Sequence, residues 1–351
     1  MIRVGFDGRA LSSPAGGVRR YVRELFGALA ARGDVEVIAL GAHADVVLPS
    51  GVRRGPAAHS LPTNAGWILT GLPRAARKAR VDLLHAPAYT APLAGPRPLV
   101  VTIHDVSYER RPEWYPYRRD PLRRAFYRAS ARAADRIITD SAFSRNEIAA
   151  GYGVDPASIA VVPLAPAACF TPGVAGALPD GIERPFVLHV GDVHPRRNIP
   201  TLVRAARRAG AAVVLAGADR DSARALASER DARIHAIPAA DDTQLVALYR
   251  SASAFVYPSR YEGFGLPLVE AMACGTPVVA ARAGSIPEVV GDAGPLLDPD
   301  DEEGFATAIA RLIREPAAAA AARGASLARA AAFSWPRTAA LTLDVYRGLL
   351  S

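Results

Sequence analysis

The chain has 351 residues, which is too long for one ordinary hydrophobic core and suits two α/β domains of roughly 150–180 residues each. Half of the residues are apolar and 22% are charged, which excludes disordered and fibrous classes. Its apolar runs, such as AAVVLAGA at 211–218, are strand-length and fall far short of the roughly 20 residues that a spanning helix needs. The N-terminus reads MIRVGFDGRA, with Asp7 where a signal peptide carries its apolar core, and two cysteines, Cys169 and Cys274, make no disulfide framework. A reduced, cytoplasmic setting is the expectation. The net charge of +8 is uneven: residues 1–170 hold 23 Arg and Lys against 14 Asp and Glu, and the remainder holds 19 against 20. That excess suits an anionic partner of the first half, although Lys78 is the only lysine and an arginine-rich solvated surface explains part of it.

Short apolar runs alternate with amphipathic stretches. IRVGF (2–6) reads as a buried strand, followed by a loop with Gly16 and Gly17 and a helix over 18–32. VEVIAL (35–40) is a strand, 42–63 is irregular, and 65–79 is helical. Strands follow at 81–86 and 98–105, a helix at 121–134, a strand at 136–141, a short helix at 144–151 and a strand at 159–165. The Pro/Gly-rich stretch 163–185 reads as a linker. The alternation then restarts, with strands at 186–193, 211–217, 233–238, 254–259 and 277–281 and helices at 199–209, 221–229, 241–251 and 265–274. Helices at 302–314, 317–332 and 336–350 end the chain. This pattern predicts two Rossmann-like parallel-sheet domains, 1–165 and 166–335, with helix 336–351 crossing back to the first domain and a cleft between the two.

Ligands of open parallel sheets bind at the carboxyl ends of strands. That rule selects Gly16-Gly17, His104-Asp105, Ser141, 191–198 and 257–265. The strongest of these segments is YPSRYEGFGLPLVEAMACGTPVV (257–279). Gly263 and Gly265 let backbone amides approach a ligand at a helix N-terminus, which favours a diphosphate. Glu262 and, eight positions later, Glu270 accept hydrogen bonds from hydroxyls, as sugars and ribose present them. Amides for phosphate beside carboxylates for hydroxyls describe a nucleotide-sugar site; a flexible glycine loop with solvated acids is the plainer alternative.

Glu-x7-Glu in EGFGLPLVEAMACGTPVVA resembles the donor-site signature of the family 4 retaining glycosyltransferases, which have the two-domain GT-B fold. The likeness runs along the chain through GGVRRYVREL (16–25), TIHDVSYERRPEWYP (102–116), TDSAFSRNEI (139–148), HVGDVHPRRNIPTLVRA (189–205) and AGSIPEVVGDAGPLLDPDD (283–301). The resemblance implies that Arg197, with Arg196 beside it, neutralises the donor diphosphate as it leaves. Glu262 contacts the donor sugar, with the amides of Gly263, Phe264, Gly265 and Leu266 nearby, and Glu270 holds the ribose. His104 lies near the transferred sugar, Gly16 and Gly17 approach the phosphates or the acceptor, and the nucleobase lies near Ile237. The implied co-substrate is a nucleotide-sugar, with a GDP-sugar and mannosyl transfer favoured by the Pro-Arg-Arg-Asn loop and IHDVSYERRPEWYP. Neither a metal nor nucleic acid is implied. Asp192 departs from the family, in which many relatives have arginine there, and is expected to point away from the phosphates.

The basic helix 121–136 places Leu122, Ala125, Phe126, Ala129 and Ala133 on one stripe and Arg124, Arg128 and Arg132 on another, with Arg118, Arg119 and Arg123 adding charge. Such a helix suits peripheral contact with the inner face of a membrane, where a lipid-linked acceptor would sit; a surface helix packed by its stripe is the plain reading. Three rival functions remain. A phosphorylase needs a pyridoxal lysine, and Lys78 lies in the wrong half. A nucleotide-sugar epimerase leaves Glu262 and Glu270 unexplained, and a non-catalytic sugar- or lipid-binding protein of the same fold is the rival of a different class.

Overall fold

The computed structural model describes residues 1–58, 60, 63–115, 120–218, 221 and 233–351. The helix expected at 221–229 and the residues Arg118 and Arg119 therefore lie outside the described residues, the first position of that helix excepted. The chain divides into two compact units, Met1–Leu164 with Ser334–Ser351, and Ala165–Phe333.

The first unit is a seven-stranded parallel sheet: β1 (Ile2–Asp7), β2 (Val35–Leu40), β3 (Arg53–Arg54), β4 (Leu83–Ala86), β5 (Leu99–Thr102), β6 (Arg136–Thr139) and β7 (Ile159–Val161). The strand order is β3-β2-β1-β4-β5-β6-β7. Strands β4 and β5 are buried along their whole length, which explains their mostly apolar sequence, and their polar members His85 and Thr102 hydrogen-bond to each other. The main helices are α1 (Gly16–Ala30), α2 (Leu72–Ala79), α3 (Pro121–Ala133) and α4 (Ala142–Tyr152). Helix α1 buries Tyr21, Val22, Leu25, Phe26 and Leu29, the face expected from their spacing.

The second unit repeats the design with six strands: β8 (Phe186–Val190), β9 (Ala212–Ala216), β10 (Ile234–Ile237), β11 (Ala254–Tyr257), β12 (Val278–Ala281) and β13 (Leu296–Leu297). Its order, β10-β9-β8-β11-β12-β13, is the 3-2-1-4-5-6 of a dinucleotide-binding sheet, and the first unit shares it with one strand added. The helices here are α5 (Ile199–Ala209), α6 (Asp242–Ser251), α7 (Leu266–Ala273), α8 (Ile286–Val290), α9 (Glu302–Arg314) and α10 (Pro316–Ala330). Among the described residues no helix is long and apolar enough to cross a membrane.

Helix α11 (Trp335–Leu350) belongs to the first unit. The Thr338 hydroxyl donates to the Pro163 carbonyl at 2.7 Å, and Arg347 pairs with Asp34 at 2.9 Å. Deeper in, the Tyr346 hydroxyl lies 2.6 Å from Nδ1 of His85, whose Nε2 lies 2.7 Å from the Thr102 hydroxyl, itself 2.7 Å from the Tyr21 hydroxyl. All four side chains are buried, and burial pushes the His85 imidazole down to about 3. A neutral ring with one donor and one acceptor fits this chain of hydroxyls and keeps every polar atom of the ring satisfied.

Three expectations need correction. Gly16 and Gly17 are not in the loop but form the first two positions of α1. The stretch 64–79 is broken by a π-turn at Trp67–Gly71, where the buried Trp67 ring fills the space beside Gly41 and Gly71 and its indole N–H donates to Asp7 Oδ1 at 3.0 Å. In α3 Ser130 and Ala131 are buried, and Phe126, from the expected stripe, packs half-buried against the core together with Tyr127, whereas Leu122 is 81% exposed and Ala125 is exposed. Arg124 and Arg128 are turned onto Glu109 at 2.7 and 2.5 Å, so the helix is rotated relative to the expected stripe and two of its arginines are neutralised.

Replacing Tyr346 by Phe leaves Nδ1 of His85 without its partner inside the core. The expected loss is about 1–3 kcal/mol of stability in the first unit, measured by urea or thermal unfolding of the whole chain. An unchanged midpoint would show that the hydroxyl chain does not contribute.

Candidate active site

In a sheet of this order the topological switch point lies where strand order reverses, between β8 and β11 in the second unit and between β1 and β4 in the first. The segments leaving β8 and β11 carry Arg196, Arg197 and Glu262. After β8 the backbone passes Gly191 at φ 138° and turns through Pro195–Arg197 into Asn198 at φ 53°, which opens α5. A side chain at Gly191 would meet the Arg197 guanidinium at 3.2 Å, so glycine is required for this close approach.

Arg197 is 9% exposed and donates from Nη1 to Glu262 Oε1 at 2.8 Å and to the Tyr257 hydroxyl. Arg196 Nη1 lies 3.6 Å from the other oxygen of Glu262. Burial works most strongly against the Arg197 cation, but Glu262, with Tyr257 and Asp192 adding to it, outweighs burial and the group stays charged. Asp192 does not point away as expected: its Oδ1 lies 3.5 Å from Arg197 Nε. The turn at Gly191 brings the following carboxylate back towards the guanidinium. Burial raises the Asp192 carboxyl, yet Arg197 and Arg196 prevail and hold it below the usual range. Its side chain is 64% exposed, so water screens this second pair far more than the first.

Glu262, Gly263, Phe264, Gly265 and Leu266 are all buried and lead into α7, whose N-cap is Gly265 at φ 97°. A Cβ at Gly284 would lie 2.8 Å from the Glu262 nitrogen. The neighbouring Ser285 hydroxyl is 3.0 Å from the Glu262 carbonyl and 3.1 Å from that of Phe264. Arg260 ties the two loops together through its N–H to the Arg196 carbonyl at 2.7 Å and pairs with Asp300. Asp298-Pro299-Asp300 is an Asp-x-Asp pair, and its second acid serves this clamp. The Phe264 ring packs edge-on against Phe333, so only its backbone is left for a ligand. Glu270 is 4% exposed inside α7 and accepts the Tyr249 hydroxyl at 3.1 Å. Ile237 ends the edge strand β10, half-buried, and its carbonyl accepts the Gly217 N–H at 2.8 Å.

In the first unit, His104 follows β5. Its Nδ1 lies 2.8 Å from Asp140 Oδ2, at the end of β6, and the edges of Tyr21 and Tyr89 pack against its ring. Burial pushes the imidazole down, but Asp140, and Asp105 beside it, outweigh burial and hold it above its ordinary value. Among the described residues, His104 Nε2 and Asp140 Oδ1 are buried without a hydrogen-bond partner. Each such atom costs about 1–3 kcal/mol unless water or a ligand meets it. Gly16 and Gly17 are exposed at the start of α1, where no side chain caps the helix. A Cβ would meet nothing at Gly17 and only the Arg19 guanidinium, at 3.8 Å, at Gly16. The fold therefore does not itself demand glycine there.

Sequence reasoning missed Asp140 and Ser285 as parts of this machinery, and gave Tyr257, at the head of the selected 257–265 segment, no partner. Asp140 lies in the TDSAFSRNEI segment but is separated from His104 by 36 positions, and only the β5–β6 register joins the two.

Comparison with known proteins places the site in context. Residues 15–165 match the family description "Glycosyltransferase Family 4", and residues 179–327 match "Glycosyl transferases group 1". An O-antigen chain mannosyltransferase B of Escherichia coli is 30% identical over 99% of this chain and 100% of its own length. Sucrose-phosphate synthase from Thermosynechococcus elongatus superposes with a TM-score of 0.78 at 24% identity, covering 99% of both chains. HepE of Anabaena, solved in complex with UDP and glucose, does so with a TM-score of 0.71 at 19% identity, covering 99% of this chain and 100% of its own. The two Rossmann-like units, the matched segments and the full-length relative together make this chain a glycosyltransferase of the group 1 and family 4 lineage, with the GT-B fold.

Proposed function

We propose that the chain transfers a hexosyl group, with mannosyl favoured, from a nucleoside-diphosphate sugar to an acceptor hydroxyl with retention of the anomeric configuration. The observation that carries this reading is the buried Arg197–Glu262 pair at the β8/β11 switch point, a cation for the diphosphate held beside a carboxylate for the sugar hydroxyls. In this reading the bond from the anomeric carbon to the phosphate oxygen breaks while the acceptor oxygen bonds to the same face of the sugar. The acceptor proton passes to the leaving phosphate, and Arg197, Arg196 and the amides of Gly263 to Leu266 absorb its charge, so no metal is required. Glu270 takes the ribose, the edge of β10 at Ile237 takes the nucleobase, and His104 serves the transferred sugar.

The E. coli relative is named for mannosyl transfer in O-antigen synthesis, which supports a GDP-sugar and a glycan or lipid-linked acceptor. HepE was solved with UDP and glucose, which keeps UDP as the rival nucleotide. The two free cysteines, Cys169 and Cys274, support a cytoplasmic site of action. Peripheral membrane contact through helix 121–136 loses support, because Arg124 and Arg128 are closed onto Glu109.

Glu262→Gln keeps the shape and an acceptor for Arg197 but removes the charge; transfer should fall on the order of 10²–10³-fold and the melting temperature should drop as well, because Arg197 is left as a buried cation without its carboxylate. Arg197→Ala should abolish transfer and also cost about 3–5 kcal/mol of stability, because it strands Glu262 as a buried charge. Normal rates in both variants would overturn the site assignment.

A thermal-shift panel of GDP, UDP and dTDP tests the base. GDP at 100 times its dissociation constant should stabilise the enzyme by about 2.7 kcal/mol, and a shift with UDP alone removes the mannosyl assignment.

Gly17→Ala fills open space at a helix start, so it should leave the fold intact or stabilise it by about 0.5–1 kcal/mol. Turnover should nevertheless drop at least tenfold if a phosphate or acceptor approaches this backbone. Unimpaired turnover would remove Gly17 from the site.

A further inference from the structure

We propose that Asp140 is the positioning residue of His104: it holds the Nδ1 edge of the ring so that Nε2 is left as the atom that donates to an oxygen of the transferred sugar. The parallel register of β5 and β6 carries the juxtaposition. Val101 pairs with Ile137 and Thr102 with Ile138, and the Ile103 N–H donates to the Ile138 carbonyl at 2.9 Å. His104 and Asp140 are therefore the residues that emerge side by side from two adjacent strands. Their backbones are locked as well: the Thr139 hydroxyl donates to the Ile103 carbonyl at 2.7 Å and the Ser144 hydroxyl to the His104 carbonyl at 3.0 Å.

The Asp140 carboxylate is 3% exposed and meets His104 Nδ1 at 2.8 Å, and two tyrosine edges flank the ring. Tyr89 reaches its place by adopting φ 60°, a left-handed conformation that a bulky side chain rarely takes, with its N–H held by the Thr102 carbonyl at 2.9 Å. Nδ1 is thus occupied, Tyr21 and Tyr89 pack against the ring, and Nε2 is buried without a hydrogen-bond partner of good geometry among the described residues. Fixing one nitrogen of a histidine against a carboxylate sets both the orientation and the protonation of the other.

The charged and titratable groups that face His104 are Asp140 from the end of β6, Asp105 beside it, His85 from β4 and Tyr21 from α1. Burial opposes the imidazolium, while Asp140, Asp105 and the Pro87 carbonyl favour it and together prevail. The ring therefore keeps its proton above its ordinary value of 6.5, and Nε2 carries a hydrogen to donate. Without the Asp140 charge, burial dominates and the proton is lost below 6.5.

This inference rests on His104 serving the transferred sugar. The test measures release of GDP from GDP-mannose, or of UDP from UDP-glucose if the nucleotide panel selects UDP, by wild type, His104→Ala, Asp140→Asn and the double variant across pH 5–9. The wild-type rate should fall only on the alkaline side, with a midpoint above 6.5. Asp140→Asn should move that midpoint below 6.5 and lower kcat at pH 7.5 on the order of 10–100-fold, the worth of one charge-assisted hydrogen bond. Stabilisation by the free nucleotide should stay the same, and Asp140→Asn should add nothing in the His104→Ala background.

A wild-type pH profile in Asp140→Asn while His104→Ala is inactive overturns this inference alone. An equal loss with and without His104 does so too, because it reduces Asp140 to a structural role. Full activity of His104→Ala overturns the reading of His104 itself. If Asp140→Asn does not fold, NMR titration of the His104 ring in the wild-type enzyme decides: a midpoint above 6.5 with Nδ1 protonated supports the inference, and one below 6.5 overturns it.

Discussion

The second unit is organised around one buried guanidinium. Placing Arg197 at 9% exposure is tolerable only with a carboxylate and further acceptors in contact, since an isolated buried cation is prohibitively unfavourable. Glu262 and Tyr257 meet that demand, and Asp192 adds a screened third contact. The demand then spreads outward. Gly191 must lack a side chain for the guanidinium to fit, and Gly284 must lack one for the Glu262 backbone to fit. Ser285 and Arg260 hold the two loops in register. A charge pair that contributes little net stability thereby fixes the geometry of the strand ends on which chemistry depends.

The first unit shows the same physics with the opposite outcome at two histidines. His85 and His104 are both deeply enclosed. His85 is surrounded by hydroxyls, and burial drives it down to about 3, so it is a neutral link between sheet and helices. His104 has Asp140 against it and Asp105 beside it, and its proton is retained. A hydroxyl satisfies either protonation state, whereas a carboxylate selects the cation. The choice of partner, more than depth, separates the structural histidine from the one placed at a strand end.

Much of this architecture was legible because buried parallel strands leave unbroken apolar runs and α1 leaves a clean helical stripe. The loop from Glu262 to Leu266 was legible as the link from a strand end to a helix start, and its burial sets aside the plainer alternative of solvated acids. What escaped were features set by tertiary partners. The rotation of α3 depended on Glu109, 15 and 19 positions away from Arg124 and Arg128. The turn of Asp192 depended on the φ of Gly191, and the role of Asp140 on strand register. Strands β3 and β13 are two residues long and carry no periodicity to read.

The common strand order of the two units makes their difference informative. Each offers a reversal point where ligands can enter, yet they fill it differently. The second unit closes its strand ends with mutually neutralising charges, Asp192 and Glu262 meeting the same guanidinium, so an anion in the proposed site would have to compete with both. The first leaves exposed glycines and an uncapped helix start, where added side chains would meet little or nothing. A site that is internally paired favours a ligand able to replace those pairings, which sharpens selection. A site that is open tolerates varied occupants. Under the proposed function, that asymmetry gives the exacting unit to the nucleotide-sugar and the open one to the acceptor.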